Sequence, residues 1–290
     1  MKKNIVISSS FGHEVMATNF ANAYGVKILI APQRDNKEEY DAEAERIYSV
    51  MSFFYDKMEI VPFEDRNNID AWDVIGELKA GALPDEVWDD FFKSTLTPTR
   101  NFPVYTEIKN EAVLFVPQKL VSDGACGLNA TQQSLTPAVF DFLKDCGKQL
   151  VLGQHFNKVS DKPAVDALAE EFNLLVPGTM SHPDVYGIRG VAHERLVAVY
   201  GGGDSCVGIA GTHTWIILAM CPWVKMVIVA NKNLTEHWDA IVKAAQAAGR
   251  NIRLVQFDET MTGDQISEQV QTACNELGVC DPDPVQFCLF

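Results

Sequence analysis

The sequence predicts an α/β protein of two Rossmann-like domains facing a cleft, the N-terminal one small. Three observations point there. Short continuous apolar runs alternate with stretches of helical periodicity, the pattern of parallel strands covered on both faces. The 290 residues suffice for two modest domains or one large one. A Pro- and Thr-rich passage, TLTPTRNFPVYTE at 95–107, reads as a connection between two such alternations. The implied division is 1–107 and 108–290, with the last helix free to pack back on the first domain.

KNIVISSS at 3–10 reads as the first strand, and GHEVMATNFANAYG as a helix ending at Gly25. VKILIAP is a second strand closed by Pro32. Residues 36–57 form a long helix with its acidic residues early, as the helix macrodipole prefers. MEIVPF is a third strand, and residues 70–93 give one or two helices broken by GALP. From residue 111 the strands are AVLFVP, QLVLGQ, FNLLVP, SCVGIA, KMVIVAN and IRLVQF. Between them lie helical patterns near 137–146, 163–171, 192–200, 212–221, 234–248 and 264–278.

Composition narrows the class. At 47% hydrophobic and 22% charged, with no low-complexity stretch, the chain is that of a soluble globular protein. No apolar run approaches the roughly 18 residues needed to cross a bilayer, and the N-terminus lacks a secretory h-region. We therefore expect a cytoplasmic protein beginning at Met1. The seven cysteines are an odd count without a C-x-x-C pair, so reduced thiols are expected. The scattered histidines leave no zinc spacing. A net charge of −15 repels nucleic acid and anionic membranes at long range. Nucleic acid is therefore a disfavoured partner, with a modified DNA base left open.

The stretch SCVGIAGTHTWIILAM at 205–220 carries the first functional signal. A buried strand breaks at Gly211, offers Thr212, His213 and Thr214, and turns apolar again as a short helix that Cys221-Pro222 ends. A helix start leaves four amides unpaired and about half a positive charge. At the carboxyl edge of a parallel sheet that combination suits a diphosphate. Thr212 reads equally as an ordinary N-cap and His213 as a surface residue. GGGD at 201–204 matches no dinucleotide fingerprint and reads as a helix C-cap and turn. Trp215 and Trp223, on either side of the short helix, read first as packing residues. Asp281-Pro282-Asp283 is formally D-x-D, but no strand precedes it, and no metal is assigned to it.

The run VYGIRGVAHERLVAVYGGGDSCVGIAGTHTWIILAMCPWVKMVIVANK resembles the C-terminal nucleotide-sugar segment of GT-B glycosyltransferases, especially the lipopolysaccharide heptosyltransferases. The match centres on Gly211 and His213 in AGTHT; Ile209-Ala210 stands where that family has an acidic residue. SSSFGHEVMATNFANA resembles the same family's first strand-to-helix turn, a Gly followed by the acid that serves as base. Here Gly12 is followed by His13 and then Glu14.

The resemblance implies transfer of a sugar from a nucleotide-sugar donor to a hydroxyl acceptor, inverting and without a metal or other cofactor. Glu14 or His13 would take the acceptor proton, and the helix starting at Thr212 would hold the departing diphosphate. Donor contacts would come from Gly12, Lys119, Ser122, Arg189, Gly211, Thr212, His213 and Thr214, with Asn129 and His155 as weaker candidates. Lys119 reads equally as an exposed loop lysine, and Arg189 as the partner of an acidic neighbour. Two other functions share this scaffold: a sugar-nucleotide epimerase, and a non-catalytic nucleotide-sugar-binding protein.

Overall fold

The computed structural model describes residues 3–8, 11–52, 54–80, 82–94, 112–116, 132, 134–152, 167, 169–171, 173, 203–210, 214, 217–219, 221–232 and 237–280. They form an α/β protein with two parallel sheets. In chain order the elements are β1 (Ile5–Ile7), α1 (Phe11–Tyr24), β2 (Ile28–Ile30), α2 (Lys37–Met51), β3 (Met58–Ile60), α3 (Val74–Lys79) and α4 (Asp85–Lys93). Then come β4 (Ala112–Val116), α5 (Leu135–Lys144), β5 (Leu150–Leu152), β6 (Gly203–Ile209), β7 (Lys225–Asn231), α6 (His237–Ala247), β8 (Ile252–Phe257) and α7 (Gly263–Leu277). The expected strand FNLLVP, the helix near 192–200 and the connection at 95–107 lie outside the described residues.

The first sheet has three strands in the order β1-β2-β3, all parallel. A parallel bridge from Ile5 to Trp72 extends it on the free side of β1. Strand order thus runs outward from β1 in both directions. Gly25 ends α1 at φ 64°, the left-handed conformation a β-carbon would oppose. The helix predicted to run to residue 57 stops at Met51, where Phe54 and Tyr55 turn inward and become buried. The Tyr55 hydroxyl lies 2.6 Å from the Val26 carbonyl and 3.2 Å from that of Ala21, tying this turn to the end of α1.

The second sheet has five parallel strands in the order β5-β4-β6-β7-β8. β6 and β7 are buried over almost their whole length, while β8 at the edge is partly open. Alternate residues supply opposite faces. Cys206, Met226, Ile228 and Ile252 join the apolar cluster that contains Trp238, Ile241 and Ala245 of α6. Val207, Val227, Val229, Val255 and Phe257 join the one containing Phe140 of α5 and Ile266 and Val270 of α7. Helices therefore cover both faces.

GALP separates α3 from α4, as the sequence predicts. Helix α4 has acidic residues in its first turn and Lys93 in its last, matching the macrodipole. Val87, Trp88, Phe91 and Phe92 fall on one buried stripe. Burying such side chains stabilises by about 1.5–3 kcal/mol each. Here the burial joins the two halves, because α4 packs against α1 and against α6. The Arg250 guanidinium lies 5.7 Å from the Phe92 ring centre, and its burial lowers its pKa. The apolar cluster is continuous from β1 and β2 through α4 to β6 and β7. It is α6, not the last helix, that makes this contact; α7 packs on α5, β7 and β8.

Two expectations are corrected. GGGD is not simply a turn: Gly203 and Asp204 open β6. The pairing with β4 slips between Ala112 and Val113, leaving Asp204 as an extra residue in a bulge. Lys148 pairs with it at 3.2 Å and the Ser205 hydroxyl donates to it at 2.7 Å. Nor are all thiols reduced. Cys146, after α5, and Cys280, after α7, form a disulfide because those two helices pack side by side. Among the described residues no helix is long and apolar enough to cross a membrane.

Candidate functional site

In parallel sheets every strand delivers the chain to the same edge, and loops gather there. Ligands bind at that edge where strand order reverses. Both sheets have such a reversal. In the second, β5 lies on one side of β4 and β6 on the other. In the first, β2 lies on one side of β1 and the Trp72 bridge on the other.

The carboxyl edge of the first sheet holds a pocket of about 550 Å³. Val6, Ala31, Pro32 and Ile69 line it beside the polar residues Ser8, Gln33, Arg34, Asp35, Arg66, Asn67 and Asp73. Each follows from local structure. Ser8 directly follows β1, and residues 31–35, with Pro32 among them, form the loop after β2. Arg66 follows a 3-10 turn at Phe63–Asp65 that Pro62 starts after β3. Asp73 caps α3, its carboxylate accepting from the Gly76 amide at 2.9 Å.

Arg66 is held from two sides. Its guanidinium carbon lies 3.6 Å from the centre of the Phe63 ring, and one nitrogen donates to the Phe63 carbonyl at 2.7 Å. Phe63 in turn meets Tyr40 edge-on, with ring centres 5.4 Å apart. The Tyr40 hydroxyl donates to the Val61 carbonyl at 2.7 Å, and burial raises its pKa. Arg34 donates to the Gln33 carbonyl at 3.2 Å and stands 3.9 Å from Glu43, at the outer limit of an ion pair.

At the carboxyl edge of the second sheet, β4 and β6 are hydrogen-bonded neighbours with Val116 opposite Gly208. Lys119 and Ser122 follow the end of β4 in sequence, and Gly211, Thr212 and His213 follow the end of β6. These five residues and Arg189 lie outside the described residues, as do Asn129, His155 and Trp215. Thr214 is helical and fully buried, so it is an interior residue and not an open donor. Trp223, expected to pack, is half exposed. Further along this edge Lys232 pairs with Asp258, and Gln132 donates to the carbonyls of Asp258 and Met261 at 2.6 and 3.1 Å.

Gly12, His13 and Glu14 occupy the first turn of α1, directly after β1. Their side chains lie outside the described residues. In the chain they follow Ser8, which lines the pocket. Sequence reasoning missed Arg34 and Arg66. Both follow strand ends of the first sheet, as Lys119 follows β4, and their basic character after β2 and β3 is the signal that marks them. Among the described residues no group of three or more His, Cys, Asp or Glu is placed to hold a metal. Compared with known proteins, the chain matches no family model, no curated protein and no solved structure.

Proposed function

We propose that this protein is a glycosyltransferase with two Rossmann-like halves, moving a sugar from a nucleotide-sugar donor to a hydroxyl acceptor with inversion and without a metal. One observation carries the reading. β4 and β6 are adjacent at the reversal of strand order, so the segments that follow them start from the same edge. Those segments contain Lys119 and Ser122 on one side, and Gly211, Thr212 and His213 on the other. Amides and a cation supplied by those segments would suit a departing diphosphate.

In the proposed reaction the acceptor oxygen attacks the anomeric carbon as the bond from that carbon to the diphosphate breaks. The bonding pair leaves with the diphosphate. The acceptor proton passes to Glu14 or His13 at the start of α1, and the pocket beside β1 receives the acceptor. Neutral imidazole has the more suitable ordinary pKa for a base at neutral pH.

The test is a panel of nucleotide sugars mixed with the protein, with nucleoside diphosphate release followed with and without polyol acceptors. Release that needs an acceptor supports transfer. An altered sugar without an acceptor points instead to epimerisation, and no turnover with any donor removes the proposal. Glu14→Gln and His13→Ala separate the two bases: the true one should lose about 100-fold or more in turnover. Full activity in both variants would sink the base assignment.

A further inference from the structure

We infer that the pocket at the carboxyl edge of β1, β2 and β3 binds a small polyol carrying one anionic group, of the chemical class of a sugar phosphate or a sugar acid. That this molecule is the acceptor rests on the transferase reading; that it is an anion does not.

The charge of the pocket is the first reason. The chain carries 39 acidic residues against 24 Lys and Arg. An arginine on such a surface would ordinarily meet a carboxylate. Arg46 and Arg253 do so at 2.9 and 3.0 Å. Arg66 has no carboxylate partner among the described residues. Instead it rests on the Phe63 ring and is aimed by the Phe63 carbonyl, which engages one terminal nitrogen. The other two guanidinium nitrogens keep their donors. A guanidinium pre-oriented on an aromatic plate loses little freedom on binding, and its planar fork matches the paired oxygens of phosphate or carboxylate. Arg34 lines the same pocket and holds Glu43 only loosely.

The second reason is what surrounds the two cations. Asp35 and Asp73 line the pocket with Ser8 and Asn67. Two carboxylates repel a polyanion, so nucleic acid and longer phosphate chains fit poorly. The same carboxylates accept from hydroxyl groups, as sugar sites require; Asp73 uses one oxygen on the Gly76 amide and keeps the other. The volume, about 550 Å³, is within the range of small-molecule sites and holds a phosphorylated monosaccharide with its water. The position, over a reversal of strand order, is where parallel sheets take ligands.

The experiment is titration calorimetry on the full chain at low salt, with no nucleotide sugar present. Glucose 6-phosphate, glucuronate, glucose and inorganic phosphate are the probes. The expected result is binding of one or both sugar anions at about millimolar Kd or tighter, with glucose at least about tenfold weaker. Binding of glucose 6-phosphate alone assigns a phosphate head group, and of glucuronate alone a carboxylate. Arg66→Met should weaken the anion by about tenfold or more, Arg34→Met by less, and Arg253→Met, on β8, not at all. Arg66→Lys keeps the charge without the fork and should fall between, which covers the case in which Arg66→Met fails to fold. Equal affinity for glucose and its phosphate, no binding of any probe, or wild-type affinity in Arg66→Lys and Arg66→Met would overturn the inference. Inorganic phosphate binding as tightly as the sugar phosphate would overturn its polyol half. Because no donor is present, these results stand or fall apart from the transfer assay.

Discussion

The side-chain amide of Asn19 in α1 donates to the main-chain carbonyl of Phe91 in α4 at 3.0 Å. Asn19 is fully buried, and Phe91 is in the last turn of its helix, where carbonyls lack partners within the helix. One polar side chain therefore satisfies one of the carbonyls at the end of the helix that joins the two halves. Asn19→Ala should cost roughly 1–3 kcal/mol, because it strands a buried acceptor. Denaturant unfolding would measure it, and a midpoint equal to that of wild type would show that the carbonyl finds another donor.

Gly263 begins α7 against the start of α5. A β-carbon there would stand 2.5 Å from the Leu135 amide nitrogen and 2.9 Å from the Gln132 carbonyl oxygen, and would also meet the Ser134 hydroxyl. Two of those neighbours are main chain and cannot swing away. Gly263→Ala should thus destabilise by about 1–3 kcal/mol, although alanine favours a helix. A thermal melt decides it: an unchanged or higher Tm would mean that the two helices separate easily.

The bridge between Cys146 and Cys280 spans a sequence separation of 134 residues. Closing so long a loop restricts the unfolded chain, and removing it should cost about 2–5 kcal/mol. Non-reducing peptide mapping should show the two peptides joined, and Cys280→Ser should lower the unfolding midpoint. Recovery of both thiols free from protein trapped at lysis would place the chain in a reducing compartment. A joined pair would speak for an oxidising one.

Asp258 gives a pH signature. Its pairing with Lys232, then the hydroxyl and amide of Thr260, hold its carboxyl down at about 2. The folded pKa lies below the ordinary value of about 3.9, so the stabilisation is complete above that value and is lost as pH falls through about 2. Asp258→Asn should be less stable than wild type at pH 7, with the gap closing between about pH 4 and pH 2. A gap of constant size over that window would contradict the assignment.

Most of the elements were legible in the sequence, for local reasons. Continuous apolar runs marked β6 and β7 because both their faces are covered. GALP divided α3 from α4, and Gly25 closed α1. Relationships between distant segments were not legible. Nothing in the periodicity of β4 says that it lies between β5 and β6 and pairs with both. The Gly202-Gly203 step reads locally as a turn, yet Gly203 pairs with Ala112, so tertiary contact overrides the local signal. Cys146 and Cys280 meet only because α5 and α7 lie together. Little of the pocket was legible: Arg34 and Arg66 follow two separate strands, and only the fold brings them to one pocket.

Helix α4 also determines how this chain can be dissected. A cut within 95–107 would leave the N-terminal fragment with α4 still packed on α1 but with the part of its apolar stripe that meets α6 uncovered. The C-terminal fragment would expose the Trp238 and Ile241 surface of α6 that packs in the same cluster. Each piece should clump when expressed alone and recover when the two are co-expressed, so complementation of fragments is the practical route to studying the halves.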